Sequence, residues 1–540
     1  MSMHTKHQTA GVVPARSSSM RLTKRHLASL RPALLLLGAS LALSACGGGG
    51  GGAGNGAASL ALSQPGASSS ETRTGDTPAA SNKCNSLKGQ SFGPATIVSA
   101  ELTARTATTP EHCSVLASKT GRESFQMVAL LPTDWTGGIV QGGGGGFDGV
   151  LPNGSVWTSQ QPLDQGMAFI GSNGGHQADP KLGSLDASAL TDPESKLDWS
   201  YRAIGTTYEF GKLLVSSYYS KQPGKSYFFG CSKGGSEALA AASHFPENYD
   251  GIIAQAPAVR GSSFISRVAG YGAMTHLSNE KWQQVYDSYV AKCDAMDGLT
   301  DGVVTHRSAC NFDPKALGFL TSAELNTVQR ITSDLRTSDG TLINPGYWWG
   351  PQAGGFYDVM ESLGDGSMRD VVLNDKTYDP KTFTIDLYWP SISAVASQYM
   401  LDTDPRAVAN FVKQGKKLLV YMGGDDPALS VDEVTAFQHQ VESLAGVAKA
   451  NTQMYLLPGV GHCGQRDGTL KGAESSDMLG ALRDWVEQGV KPTNQISAHL
   501  NSSSTPEFTR PLCALGTFAK YMGSGDATKA ESFACVPDAP

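Results

Sequence analysis

The chain carries little charge for its length: 17% of its 540 residues are Asp, Glu, Lys or Arg, and the net charge is −7. That is too little for a disordered acidic chain, and no sustained Lys/Arg stripe offers the footprint that phosphate recognition needs, so nucleic acid is excluded as a partner. No Cys-x-x-Cys pair is present, and His112 beside Cys113 lacks the second pair of ligands that a structural zinc requires. No complete Gly-x-x-x-x-Gly-Lys-[Ser/Thr] phosphate-binding loop and no strand-linked dinucleotide fingerprint is present, and no fixed-period repeat appears. The apolar run Pro32 to Leu43 covers about a dozen residues, short of the roughly 20 that span a bilayer. What is present is 40% apolar residues, enough for a large core, with 63 glycines and an odd count of nine cysteines.

The apolar run follows Arg21, Lys24, Arg25 and Arg31 and ends in Leu43-Ser44-Ala45-Cys46. This is the layout of an export signal, with Met20 as an alternative start. Its last four residues resemble the lipobox of bacterial lipoproteins, in which the cysteine is lipidated; cleavage nearby by an ordinary signal peptidase, leaving Cys46 a free thiol, is the alternative. The expected location is outside the cytoplasm, as a bacterial outer-membrane lipoprotein facing periplasm or cell surface or else as a secreted protein, with the lipid the only membrane contact. Residues 1–45 are therefore read as signal and 46–82, rich in Gly, Ser and Ala, as a flexible tether. Export places the remaining eight cysteines in an oxidising space, where four disulfides are possible and sequence leaves 105 pairings open.

From Cys84 onward short apolar strands empty into glycine loops: Phe125 to Leu131, Gly138 to Gln141 running into Gly142 to Gly146, and Gly166 to Ile170 running into Gly171 to His176. A helical segment, Ala203 to Tyr218, precedes a strand at Lys225 to Gly230, a helix at Gly235 to His244 and a strand at Gly251 to Pro257. The alternation predicts an α/β fold with a mostly parallel central sheet flanked by helices. Clean strands then become scarce over 259–402, read as a large inserted lid, and resume at Lys417 to Tyr421 and Thr452 to Leu457. The core is thus expected over 83–258 and 403–540.

Gly230-Cys231-Ser232-Lys233-Gly234 fits Gly-x-Ser-x-Gly, the strand-to-helix elbow that exposes a nucleophilic serine. A serine needs a base for its proton and a carboxylate to hold that base in the right tautomer. In this fold type the acid and the histidine follow two later strands in that order, as Asp425-Asp426 and His462 do. Cys231 precedes the serine and Cys463 follows the histidine, so a hydrogen-bonded Ser232–His462 pair would bring the two cysteines within disulfide reach. His176 is expected to make a structural hydrogen bond, and Tyr347, Trp348 and Trp349 to pack within the lid rather than stack a substrate.

The Cys231-Ser232, Asp426 and His462-Cys463 arrangement resembles the tannase and feruloyl esterase family, from about Cys84 to the C-terminus. The resemblance implies an α/β-hydrolase with an inserted lid, and selects Asp426 over Asp425 as the acid. It implies Gly142 as an oxyanion-loop residue, with the backbone N–H of Lys233 as second donor. It implies a calcium loop in the lid made by Asp294, Asp297 and Asp301 and the carbonyls of Leu299 and Val303, and no organic cofactor. It also implies the pairs Cys84–Cys113, Cys293–Cys310 and Cys513–Cys535 beside Cys231–Cys463. The expected activity is hydrolysis of small aromatic-acid esters of feruloyl or galloyl type. Two alternatives are hydrolysis of mono(2-hydroxyethyl) terephthalate or a related synthetic ester, for which Arg369 is the one tempting carboxylate clamp, and a non-catalytic ligand-binding surface lipoprotein. The segment Leu363 to Asp370 departs from the pattern of the terephthalate branch.

Overall fold

The computed structural model describes residues 77–152, 162–350, 355–464, 470–493 and 495–538. The expected signal, Cys46 and the tether up to residue 76 lie outside them. The tether does not reach Asn82 as expected, because Thr77–Asn85 is helical. Buried Cys84, bonded to Cys113, holds that helix against the adjoining strands, which a Gly/Ser reading of the segment does not anticipate.

Ten strands form one sheet: β1 (Ser91–Phe92), β2 (Ala95–Thr103), β3 (His112–Lys119), β4 (Arg122–Pro132), β5 (Gly138–Gly142), β6 (Ala168–Ser172), β7 (Lys225–Cys231), β8 (Gly251–Gln255), β9 (Lys417–Gly423) and β10 (Thr452–Leu457). Their spatial order is β1-β2-β3-β4-β6-β5-β7-β8-β9-β10. The pairs from β1 through β4 to β6 are antiparallel. Those from β6 onward are parallel.

The parallel half has the sequence texture of strands covered on both faces. Within it side chains alternate with period two. Phe228, Ile252, Val420 and Met454 pack with Ala238 and Leu239 of the helix Lys233–His244. Tyr227, Phe229, Ile253, Leu419 and Tyr455 pack with Leu479, Leu482 and Trp485 of the helix Met478–Gln488 on the other face. The antiparallel half has its own core, closed by Phe210 and Leu214 of the helix Ala203–Tyr219.

The chain between β8 and β9 lies outside the main sheet and is mainly helical. Its Trp282, Val285, Val328 and Tyr357 share one continuous core with Ile252, Ala254 and Met422 of the sheet, so the lid is packed as part of the same body. After the helix Met478–Gln488 the chain ends in two hairpins, Ile496–Leu500 with Pro506–Pro511 and Thr517–Tyr521 with Phe533–Pro537.

Candidate active site

β7 ends at Cys231 and the helix Lys233–His244 begins two residues later, leaving Ser232 alone to make the turn. It does so at φ 61°, ψ −122°, a backbone state a non-glycine residue rarely adopts. The flanking glycines are sterically required. A Cβ at Gly230 would lie 2.4 Å from the Gly234 carbonyl oxygen, and one at Gly235 2.3 Å from that of Gln255. The elbow is held where it is by Ser232 N–H donating to Gln255 O (3.1 Å).

The loops after β9 and β10 bring the other two residues to the same end of the sheet. Asp426 is fully buried, and its Oδ1 accepts the Ala428 and Leu429 N–H groups at 2.8 and 3.1 Å. Its Oδ2 lies 2.8 Å from His462 Nδ1. Nδ1 therefore carries the proton toward the carboxylate, which leaves Nε2 as the basic nitrogen. Cys463, at φ 56°, turns back to bond Cys231 with a Cα–Cα separation of 5.9 Å. The bridge ties the residue before Ser232 to the residue after His462, and both Ser232 and His462 line one cavity. The other three bridges join Cys84 to Cys113, Cys293 to Cys310 and Cys513 to Cys535.

Asp425 faces elsewhere. Its buried Oδ2 accepts the Gly459 N–H (2.8 Å) of the histidine loop and the Tyr286 hydroxyl (3.4 Å) of the lid helix Asn279–Cys293, and burial pushes its carboxyl up.

The cavity has a volume of about 370 Å³ and is walled mainly by apolar groups, among them Phe147, Phe264, Phe356, Met360 and Leu429. Gly145, Gly146 and Lys233 also line it. Gly142 is the last residue of β5 and does not reach the cavity wall. Lys233 Nζ is engaged by Trp199 O (2.8 Å) and Glu237 Oε1 (3.0 Å), with Asp148 Oδ2 at 3.7 Å. Burial and the charge of Glu237 push the Asp148 carboxyl well above the ordinary range. Nothing in the sequence marks this buried acid pair beneath the glycine loop, although Asp148 lies two residues from Gly146 and Glu237 five from Ser232.

Other expected residues fall outside the cavity wall. Arg369 pairs with Asp365 and Asp370. Tyr347 is buried, Trp349 stacks edge-on with Phe312, and Trp348 Nε1 donates to Asp432 (3.1 Å), so these aromatics build the lid as expected. The ring of His176 is buried against the backbone of Gly174, and burial outweighs that contact and brings its pKa down to about 4.

In the acidic lid loop, Asp294 accepts the Gly302 N–H (2.8 Å), Asp297 the Leu299 N–H (3.0 Å) and the Thr305 hydroxyl (2.6 Å), and Asp301 pairs with Arg510. Asp294 and Asp297 are buried, and burial raises both carboxyls. Among the described residues no three His, Cys, Asp or Glu side chains converge as a group that would hold a metal ion.

A serine on a strained elbow, bridged through its neighbour to the loop of a carboxylate-oriented histidine at the carboxyl ends of parallel strands, defines a carboxylic ester hydrolase of the α/β-hydrolase class. Comparison with known proteins narrows the class. Residues 111–347 and 356–536 match the tannase and feruloyl esterase family, and the chain belongs to it. A probable feruloyl esterase B-1 of Aspergillus fumigatus is 27% identical over 467 residues, covering 79% of this chain and 86% of that one. A mono(2-hydroxyethyl) terephthalate hydrolase of Piscinibacter sakaiensis is 28% identical over 530 residues, covering 81% and 87%. The crystal structure of feruloyl esterase B from Aspergillus oryzae shares the fold with a TM-score of 0.71 at 24% identity, over 84% of this chain and all of that one.

Proposed function

We propose that the enzyme hydrolyses esters of aromatic carboxylic acids, of feruloyl or galloyl type, through an acyl-enzyme on Ser232. His462 Nε2 takes the Ser232 proton as Oγ attacks the ester carbonyl, then gives it to the leaving alkoxide. Asp426 holds the imidazole in the required tautomer and stabilises the imidazolium, and water repeats the cycle to release the acid. The observation that carries this reading is the Asp426–His462 pair clamped to Ser232 by the Cys231–Cys463 bridge at the wall of an apolar cavity. The feruloyl esterases among its relatives supply the acyl class. Ser232→Ala is expected to abolish release of an aromatic acid and labelling by a fluorophosphonate while leaving the folded protein intact. Activity that survives this change refutes the mechanism.

The terephthalate monoester is the rival substrate, named by one relative. It carries a free carboxylate, whose burial is costly without a cation. Among the described residues of the cavity wall Lys233 is the only Lys or Arg, its Nζ is already engaged, and Arg369 is tied to two aspartates elsewhere. This favours uncharged acyl groups.

Two further proposals concern the rest of the chain. The carboxylates of Asp294, Asp297 and Asp301 with the carbonyls of Leu299 and Val303 would hold a structural calcium ion in the lid. Support comes from the hard oxygen donors and from the burial of Asp294 and Asp297, which disfavours their charge and which a cation would relieve; Asp301, paired with Arg510, would have to turn toward the ion. Cys46 would carry the lipid of an exported lipoprotein; the four disulfides fit an oxidising compartment, and no helix among the described residues is long and apolar enough to cross a membrane.

A further inference from the structure

The glycine loop after β5 exposes a run of backbone amides beside the nucleophile, and each buried amide must find a partner. Gly143 N–H donates to Phe229 O (2.9 Å), Phe147 to Ser184 O (2.7 Å), Asp148 to Gly145 O (2.8 Å) and Gly149 to Asn173 O (3.0 Å). Gly144 differs in kind: its N–H donates to a side chain, Glu237 Oε2, at 2.9 Å. Among the described residues neither the Gly145 nor the Gly146 amide donates to a backbone carbonyl; the Gly145 N–H turns to the Asp148 carboxylate, and both residues line the cavity with Ser232. Opposite them the Lys233 amide, at the first position of its helix, is likewise without an intrahelical acceptor.

Glu237 links the two sides. It stands one turn along the helix from Lys233, is buried, and receives Lys233 Nζ on one oxygen (3.0 Å) and the Gly144 N–H on the other (2.9 Å). Gly234 N–H donates to Gly144 O (3.1 Å), so loop and helix are locked by a bond in each direction. Asp148, at φ 62°, fills the space beneath: a Cβ on Gly144 would lie 2.0 Å from its Oδ1.

We propose that Glu237 is a positioning residue for ester hydrolysis, fixing the glycine loop so that the Gly146 amide and the Lys233 amide face the developing oxyanion together. The residue touches no substrate atom; it acts through Gly144 and Lys233. This rests on the serine-esterase reading of Ser232.

The test compares Glu237→Ala, Glu237→Gln and Glu237→Asp with wild type, per titrated active site, on an aryl ester and with an arylboronic acid, which forms a tetrahedral adduct on the serine. Misplaced oxyanion donors act on the transition state alone, so E237A is expected to lose about 10- to 100-fold in kcat with KM nearly unchanged. Boronate affinity should fall in parallel, while inhibition by the free product acid stays. E237Q keeps an acceptor for Gly144 and should recover most of kcat. E237D, one methylene too short to span both partners, should not, and this pair decides the matter if E237A fails to fold. Equal kcat and boronate affinity in the folded variants, or a loss confined to KM, overturns the proposal. A wild type without turnover overturns the esterase reading and this inference with it; a competent wild type matched by E237A and E237D overturns this inference alone.

Discussion

Asp425 and Asp426 are adjacent, both buried and both aspartate, yet each carboxylate has a different task. Asp426 orients His462, whereas Asp425 holds Gly459 of the histidine loop and Tyr286 of the lid. Replacing Asp426 by Asn should favour the wrong imidazole tautomer and lower kcat by about 10⁴-fold without unfolding the protein. Replacing Asp425 by Asn should instead lower stability by about 1–3 kcal/mol, read as a reduced melting temperature, and spare most of kcat. The reverse pattern would exchange their roles. Residue reading alone did not separate the two, because which of them faces His462 depends on a turn that their spacing from β9 does not encode.

His176 gives a second residue-scale prediction. Burial lowers its pKa to about 4, so between pH 6.5 and 4 the unfolded chain binds a proton that the native state refuses. The associated stability is present above pH 6.5 and lost as pH falls toward 4, about 3 kcal/mol in all. Thermal denaturation across that range should show a smaller decline in His176→Gln than in wild type; parallel curves would contradict the assignment.

Among the elements, the buried parallel strands were the most legible. Lys417 to Tyr421 and Thr452 to Leu457 read as strands because both faces are covered and each holds an unbroken apolar run, Leu418 to Tyr421 and Met454 to Leu457. β2 and β3 were not legible, since their exposed and buried positions interleave at the antiparallel edge and mix Ser, Thr and Glu into the run. The elbow was legible because steric demand writes glycine into the sequence at fixed offsets. The five-glycine run carried no such register, so Gly142 marked the right loop although Gly145 and Gly146 form the cavity wall. The Cys231–Cys463 bridge spans 232 residues, and its chain-entropy contribution is of order 5 kcal/mol. A Cys231→Ser, Cys463→Ser double variant should lose both melting temperature and kcat, because the bridge also sets the base against the nucleophile. Full activity in that variant would show the link to be structural only. For the acidic lid loop, added calcium should raise the melting temperature and chelation lower it, with Asp297→Asn insensitive to both; indifference of the wild type to calcium would remove the ion from the account.

At the scale of the molecule, lid and sheet share one core, so the substrate cavity is a fixed property of the fold. Its walls draw on the core and on the lid at Phe264, Phe356 and Met360, which explains why the reaction class was readable from a few motif residues and the acyl preference was not. Specificity is distributed over side chains far apart in sequence and brought together only by packing. The most direct test of the central claim is the rate of acid release, by wild type and Ser232→Ala in one assay, from methyl ferulate, methyl gallate and mono(2-hydroxyethyl) terephthalate. Turnover of the uncharged aromatic esters, a much lower kcat/KM for the anionic monoester, and no turnover of any of them by Ser232→Ala are expected. Preference for the terephthalate monoester, or release that persists without the Ser232 hydroxyl, would contradict it.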